Sequence, residues 1–167
     1  TAVLEVGHQY IRFHTNGGTI LESTKAVTGI VGSTVTVAAH GYSVGDWVYI
    51  GGRFLKVASV VNTSTFTVND LGGAAVTPTG STVARVYEIA TPFQESHLFD
   101  IHYVQSSDVL TFVHPLFAPR ELRRLGNTNW VLSTISFAPI MAAPTGMILD
   151  KEEHKDTTAQ RTYSYVV

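Results

Sequence analysis

Between Lys25 and Glu88 turn-forming residues recur so closely that no helix of ordinary length fits. Turns are expected at Gly32-Ser33, His40 to Asp46, Gly51-Gly52, Asn62 to Ser64 and Asp70 to Gly80. The segments between them are rich in Val and Thr and lack a helical period. They predict short strands near Ala26–Val31, Thr34–Ala38, Trp47–Ile50, Arg53–Val61, Thr65–Val68 and Thr82–Ile89. Strands this short and this close together suggest a small barrel or sandwich.

The flanks are also β-like. Val3–Phe13 interleaves apolar and polar residues and reads as strand material that Gly7-His8 can bulge or turn. His14 to Gly18 is a tight turn, because Asn16, Gly17 and Gly18 tolerate positive φ, and Thr19–Glu22 is the return strand. Pro92 breaks the pattern. Glu95–Tyr103 then spaces Leu98 and Ile101 as a short helix, with Ile101–Val104 readable as strand instead. Val109–Val113 is a strand, His114–Pro119 a turn, and Arg120–Leu125 either extended or one helical turn. Gly126–Asn129 turns into a strand at Trp130–Phe137. A linker at Pro139–Pro144, a charged loop at Asp150–Thr158 and a strand at Arg161–Val167 complete the reading, and both ends look cut.

The expected fold is therefore mainly β. A small β-barrel (25–88) is inserted into a β scaffold (1–24 and 89–140) that carries one short helix. Residues 141–167 supply a linker and the start of a further strand segment. An insertion requires the hairpin at 3–22 and the strands at 109–113 and 130–137 to meet in space.

Composition narrows the chemistry. The chain has no cysteine, which removes disulfides, thiolate catalysis and Cys-ligated metals. A net charge of −2 offers no electrostatic case for nucleic-acid binding, and neither a polybasic anchor nor an apolar span marks a membrane protein. Only 14% of residues are charged, which suggests a surface that is largely polar but neutral, or covered by neighbours. His97, Asp100 and His102 share no face on a helix or on a strand, which argues against a local metal site. Ser106, Ser107, Asp108 and His102 lack a nucleophile elbow. The glycine pairs lack the Lys-Ser or Lys-Thr of a phosphate loop. No enzyme activity, metal or cofactor is expected. The candidate interface residues are Arg120, Arg123 and Arg124, which crowd into five positions, and Trp47 with Tyr49 beside the Gly51-Gly52 turn.

Two resemblances run along the chain. Val35-Thr-Val-Ala-Ala-His-Gly-Tyr-Ser-Val-Gly-Asp-Trp-Val-Tyr-Ile50, with Phe54–Val61 and Ser64–Val68, resembles a small β-barrel module. That module is named after the first catalytic cysteine half-domain of ubiquitin-activating enzymes and also recurs in phage structural proteins. Over residues 3–137, the order of motifs is similar to that of phage tail proteins of the nozzle or tubular type. The order is Val3–Val6, Tyr10–Phe13, Asn16–Gly18, the barrel module, Leu98–Ile101, Tyr103–Asp108, Val113-His-Pro115, Leu122-Arg-Arg-Leu125 and Trp130. The tail at Pro144–Gly146 and Thr162–Val167 resembles entry into a fibronectin-type sandwich. The resemblance implies a structural virion protein of a phage tail (nozzle, tube or hub). It would act by assembly as a homo-oligomeric ring with other tail proteins, with DNA passing through rather than being recognised. The alternative is a carbohydrate-binding or depolymerase-associated module, with Trp47 and Tyr49 as its shelf.

Overall fold

A computed structural model describes residues 2–138 and Met141. It is mainly β, with several antiparallel sheets and one short helix. The first sheet begins with β1 (Ala2–Gly7) and β2 (Tyr10–Thr15), paired in register from Ala2↔Thr15 to Gly7↔Tyr10. Asn16 and Gly17 both adopt positive φ, the backbone of a two-residue hairpin turn, and lead into β3 (Gly18–Thr19). The return strand is thus shorter than Thr19–Glu22, and Leu21 continues it only as an isolated bridge to Val86.

The second sheet holds seven strands. They are β4 (Lys25–Ala26), β5 (Gly29–Val31), β6 (Thr34–Thr36), β7 (Trp47–Ile50), β8 (Arg53–Asn62), β9 (Thr65–Asn69) and β10 (Thr82–Arg85). Their order across the sheet is β4-β10-β7-β8-β9-β6-β5. Alternation puts Val48 and Ile50 of β7, Leu55 and Val57 of β8, and Phe66 and Val68 of β9 into one core with Val35, Val37, Tyr42 and Val83. Two register shifts in β8, at Val57/Ser59 and Val60/Asn62, bend that long strand. The two edge strands, β4 and β5, are separated by only Val27 and Thr28. Val27 N donates to Ser81 O on one side (2.9 Å) and Thr28 N to Thr36 O on the other (2.9 Å). The sheet therefore curls until its edges are joined along the chain.

The expected barrel is nevertheless not closed, since no ladder links β4 to β5. The single strand expected at Ala26–Val31 splits there, because its two halves must serve opposite edges. Thr82–Ile89 splits for a similar reason: β10 pairs with β7, while β11 (Glu88–Ala90) pairs with β2 in the first sheet.

Past β11, Glu95–Asp100 forms a 3-10 turn, shorter than the expected helix, and the strand reading of Ile101–Val104 prevails from His102 on. The third sheet is a meander of β12 (His102–Ser106), β13 (Val109–His114), β14 (Phe117–Gly126) and β15 (Asn129–Thr134). The turn expected over His114–Pro119 narrows to Pro115-Leu116, and Arg120–Leu125 is extended inside β14. Ile11, Phe13, Ile20, Phe93, Phe112 and Leu122 are buried together, so the first hairpin and the third sheet share one core. Phe13 stacks on Trp130 with ring centroids 4.3 Å apart. Leu125, three residues beyond the buried Leu122 in β14, points outward and is 65% exposed. The linker, loop and strand expected at 139–167, and the fibronectin-like entry with them, lie outside the described residues, Met141 excepted.

Candidate functional site

The three arginines do not converge. Strand alternation about the buried Leu122 turns Arg120 and Arg124 toward the side that faces the core and Arg123 away from it. Arg123 forms a fork with Glu121, two residues along on the same face, at 2.7 and 3.1 Å. That hydrogen bond raises the guanidinium's pKa above its ordinary value. Arg124 donates to Asn127 Oδ1 at 2.8 Å and lies 5.8 Å from the centre of the Trp130 ring. Arg120 keeps a buried Nε–H without a hydrogen-bond partner among the described residues.

Trp47 and Tyr49 share the outer face of the curled sheet, and both are half-buried. They do not form a flat shelf. The Arg12 guanidinium from β2 lies 5.1 Å from the Trp47 ring and 4.1 Å from the Tyr10 ring. Arg12 is anchored in turn by Glu88 at 2.8 Å. Tyr49 meets Phe54 across the β7–β8 ladder, with ring centroids 4.9 Å apart and planes tilted by 52°. A second ionic bridge lies nearby. Arg85 holds Glu22 Oε1 with Nη2 at 2.8 Å and Nε at 3.0 Å, and Asp46 Oδ2 at 3.3 Å. Its pKa is raised chiefly by the hydrogen bond to Glu22. These contacts tie the curled sheet to the residues through which the chain enters and leaves it.

The histidines and carboxylates do not gather. Among the described residues no group of three or more His, Asp or Glu side chains is placed to hold a metal. His97 packs on His114 and Phe117 (centroids 5.2 and 5.0 Å), and its Nδ1 accepts from Gln94 N at 3.1 Å. Asp100 and His102 point into solvent, as do Ser106, Ser107 and Asp108.

A cleft that sequence reasoning did not anticipate lies between β1 and the β12–β13 edge. It has a volume of about 440 Å³ and is walled by Leu4, Val6, Leu98, Tyr103, Leu110 and Phe112, with Gln105 at its rim. A smaller hollow of about 260 Å³ continues it past Asp108 to Arg124 and Trp130. β1 and β12 are both edge strands. Every residue of β12 is exposed, with Tyr103 at 66% and Val104 at 70%. Exposure of both faces distinguishes a bare edge from a half-buried strand. The alternation of His102–Ser106 in sequence cannot tell the two apart. The cleft offers apolar surface and free backbone hydrogen-bonding groups, which suit an extended polypeptide better than a reacting small molecule. Searches against protein families, characterised proteins and solved structures find no match to this chain.

Proposed function

We propose that this chain is a structural subunit of a phage tail and acts by assembling with further protein chains rather than by catalysis. The observation that carries the assembly part is the bare edge strand β12, with Tyr103 and Val104 exposed beside an apolar cleft. Exposed apolar groups on an unpaired edge promote association unless they are covered. Phe99, 98% exposed on the 3-10 turn that leads into β12, adds apolar surface to the same region of the chain. The tail assignment is supported by the order of motifs from Val3 to Trp130 and by the low charge content.

The carbohydrate-binding alternative is weakened by two contacts. A sugar platform needs a free, flat aromatic face, whereas the Trp47 face is shared with Arg12 and the Tyr49–Phe54 pair is tilted. The test is the mass of the protein in solution, together with its presence in purified virions. Assembly into oligomers and incorporation into particles are expected. A strict monomer that is absent from particles overturns the proposal.

A further inference from the structure

We infer that β12 is a self-association edge, and that two copies of this chain pair antiparallel through Val104 to join their third sheets into one sheet of eight strands. The inference rests on the reading that the chain acts by assembly, but not on the tail assignment.

Three observations carry it. The first is that β12 pairs with β13 on one side only among the described residues. Its other side presents a row of unmatched N–H and C=O groups, a template for a further strand.

The second is the distribution of charge. Edge strands are commonly protected by charged side chains, prolines or bulges. β12 contains no Asp, Glu, Lys, Arg or Pro, and its ladder has no register shift. All the Asp, Glu, Lys and Arg residues in the strands of this sheet (Arg120, Glu121, Arg123 and Arg124) sit on the interior strand β14. The usual placement is inverted, as expected for an edge that is covered in the working assembly. Other free edges differ: β3 and β4 have two residues each, β5 and β11 have three, β1 carries Glu5, and β15, though also uncharged, has a register shift in its ladder at Arg124/Gly126.

The third is self-complementarity, which selects the occupant. Centring the register on Val104 places Tyr103 opposite Gln105 of the second copy and His102 opposite Ser106, with no like charges opposed. Tyr103 and Gln105 are both on the cleft side, so Tyr103 and Gln105 of the second copy extend the cleft wall with groups of the same uncharged kind. Val104 meets its own counterpart on the opposite face. Such a contact is isologous, so it joins copies two at a time.

The absence of native cysteine makes a clean test possible. In the full-length chain, Val104→Cys is expected to form a disulfide-linked dimer under mild oxidation, because residues facing each other across an antiparallel pair bring their Cβ atoms within about 5 Å. Val131→Cys, on the same face but at the far edge, is expected to stay unlinked. Val104→Lys puts two ammonium groups on the axis and is expected to halve the mass found by analytical ultracentrifugation, while the far-ultraviolet circular dichroism stays that of the wild type. A Val104→Lys protein of unchanged mass overturns the edge contact while leaving assembly through another surface standing. Failure of Val104→Cys to cross-link overturns it as well, whether the thiol labels freely (a bare edge) or is shielded (an edge covered by another part of the chain). A wild-type protein that is monomeric at every concentration tested overturns this inference and the assembly reading together.

Discussion

At the scale of single residues, the two cores are specified by different physics. In the curled sheet, Tyr42 is buried against His40 and Phe66, at centroid distances of 5.3 and 5.2 Å, yet its hydroxyl has no hydrogen-bond partner among the described residues. A buried, unsatisfied hydroxyl costs free energy that phenylalanine would not incur. Tyr42→Phe is therefore expected to stabilise the fold by about 1 kcal/mol, read from chemical denaturation. Burial, reinforced by the charges of Glu22 and Asp46, also raises the Tyr42 pKa above the ordinary 10.0. A raised pKa means that the folded state holds its proton longer than the unfolded state. The stability linked to that proton is complete below the unfolded pKa and is lost as pH rises through the folded one. The wild-type protein should thus lose stability above about pH 10, and the Tyr42→Phe variant should lose less, in unfolding measured as a function of pH. In the scaffold core, Phe13 is fully buried between Trp130 and Tyr87. Phe13→Ala should cost about 3–5 kcal/mol, or abolish folding outright, because it opens a cavity between the hairpin and the third sheet.

At the scale of elements, turns and ladders decide what alternation leaves open. The β7–β8 hairpin closes through Gly51 at φ +57, where a Cβ would collide with Thr79 O. Gly51→Ala is expected to lower the melting temperature by several degrees, since both the left-handed backbone and the packed carbonyl oppose a side chain. Gly52→Ala, with positive φ but open space, should lower it less. The Gly51-Gly52 turn was legible in sequence because a glycine pair between two alternating segments has few other uses. The split of Thr82–Ile89 was not legible. Thr82–Arg85 and Glu88–Ala90 read as one continuous strand, and only their partners, β7 and β2, reveal two. The curled sheet was legible as a set of short strands, but its failure to close as a barrel was not. Closure depends on whether β4 and β5 can form a ladder, and the two-residue connector Val27-Thr28 prevents it by bonding to both sides.

At the scale of the whole molecule, the curled sheet hangs between strands of the scaffold. Leu21 bridges Val86, and Glu22 N donates to Arg85 O at 2.8 Å, so the entering and leaving segments lie side by side. The Arg85–Glu22–Asp46 group and the Arg12–Trp47 contact reinforce that junction. A double-mutant cycle with Arg85→Met and Glu22→Gln should return a coupling of about 1 kcal/mol, reduced at high salt because the pair is partly exposed. Replacing residues 24–84 with a short Gly-Ser turn is expected to leave a scaffold that still unfolds cooperatively, monitored by Trp130 fluorescence. The expectation follows from the scaffold core, which contains no side chain from residues 24–84.

The sequence by itself determined that this chain is mainly β, with one short helix. Between Lys25 and Glu88, Val and Thr between frequent turn residues leave no room for a helix of ordinary length, and the flanking segments alternate as strands around one short helix. It also settled that no cysteine chemistry operates here. The tertiary structure alone decided how the charged and aromatic candidates are used. Arg120, Arg123 and Arg124 are neighbours in sequence, yet a strand sends adjacent residues to opposite faces, so the cluster divides. Trp47 meets Arg12 from a strand 35 positions earlier. The bare edge at β12 depends on which strands find partners. Pairing is a long-range property, and a five-residue segment carries no local record of whether its second side is covered.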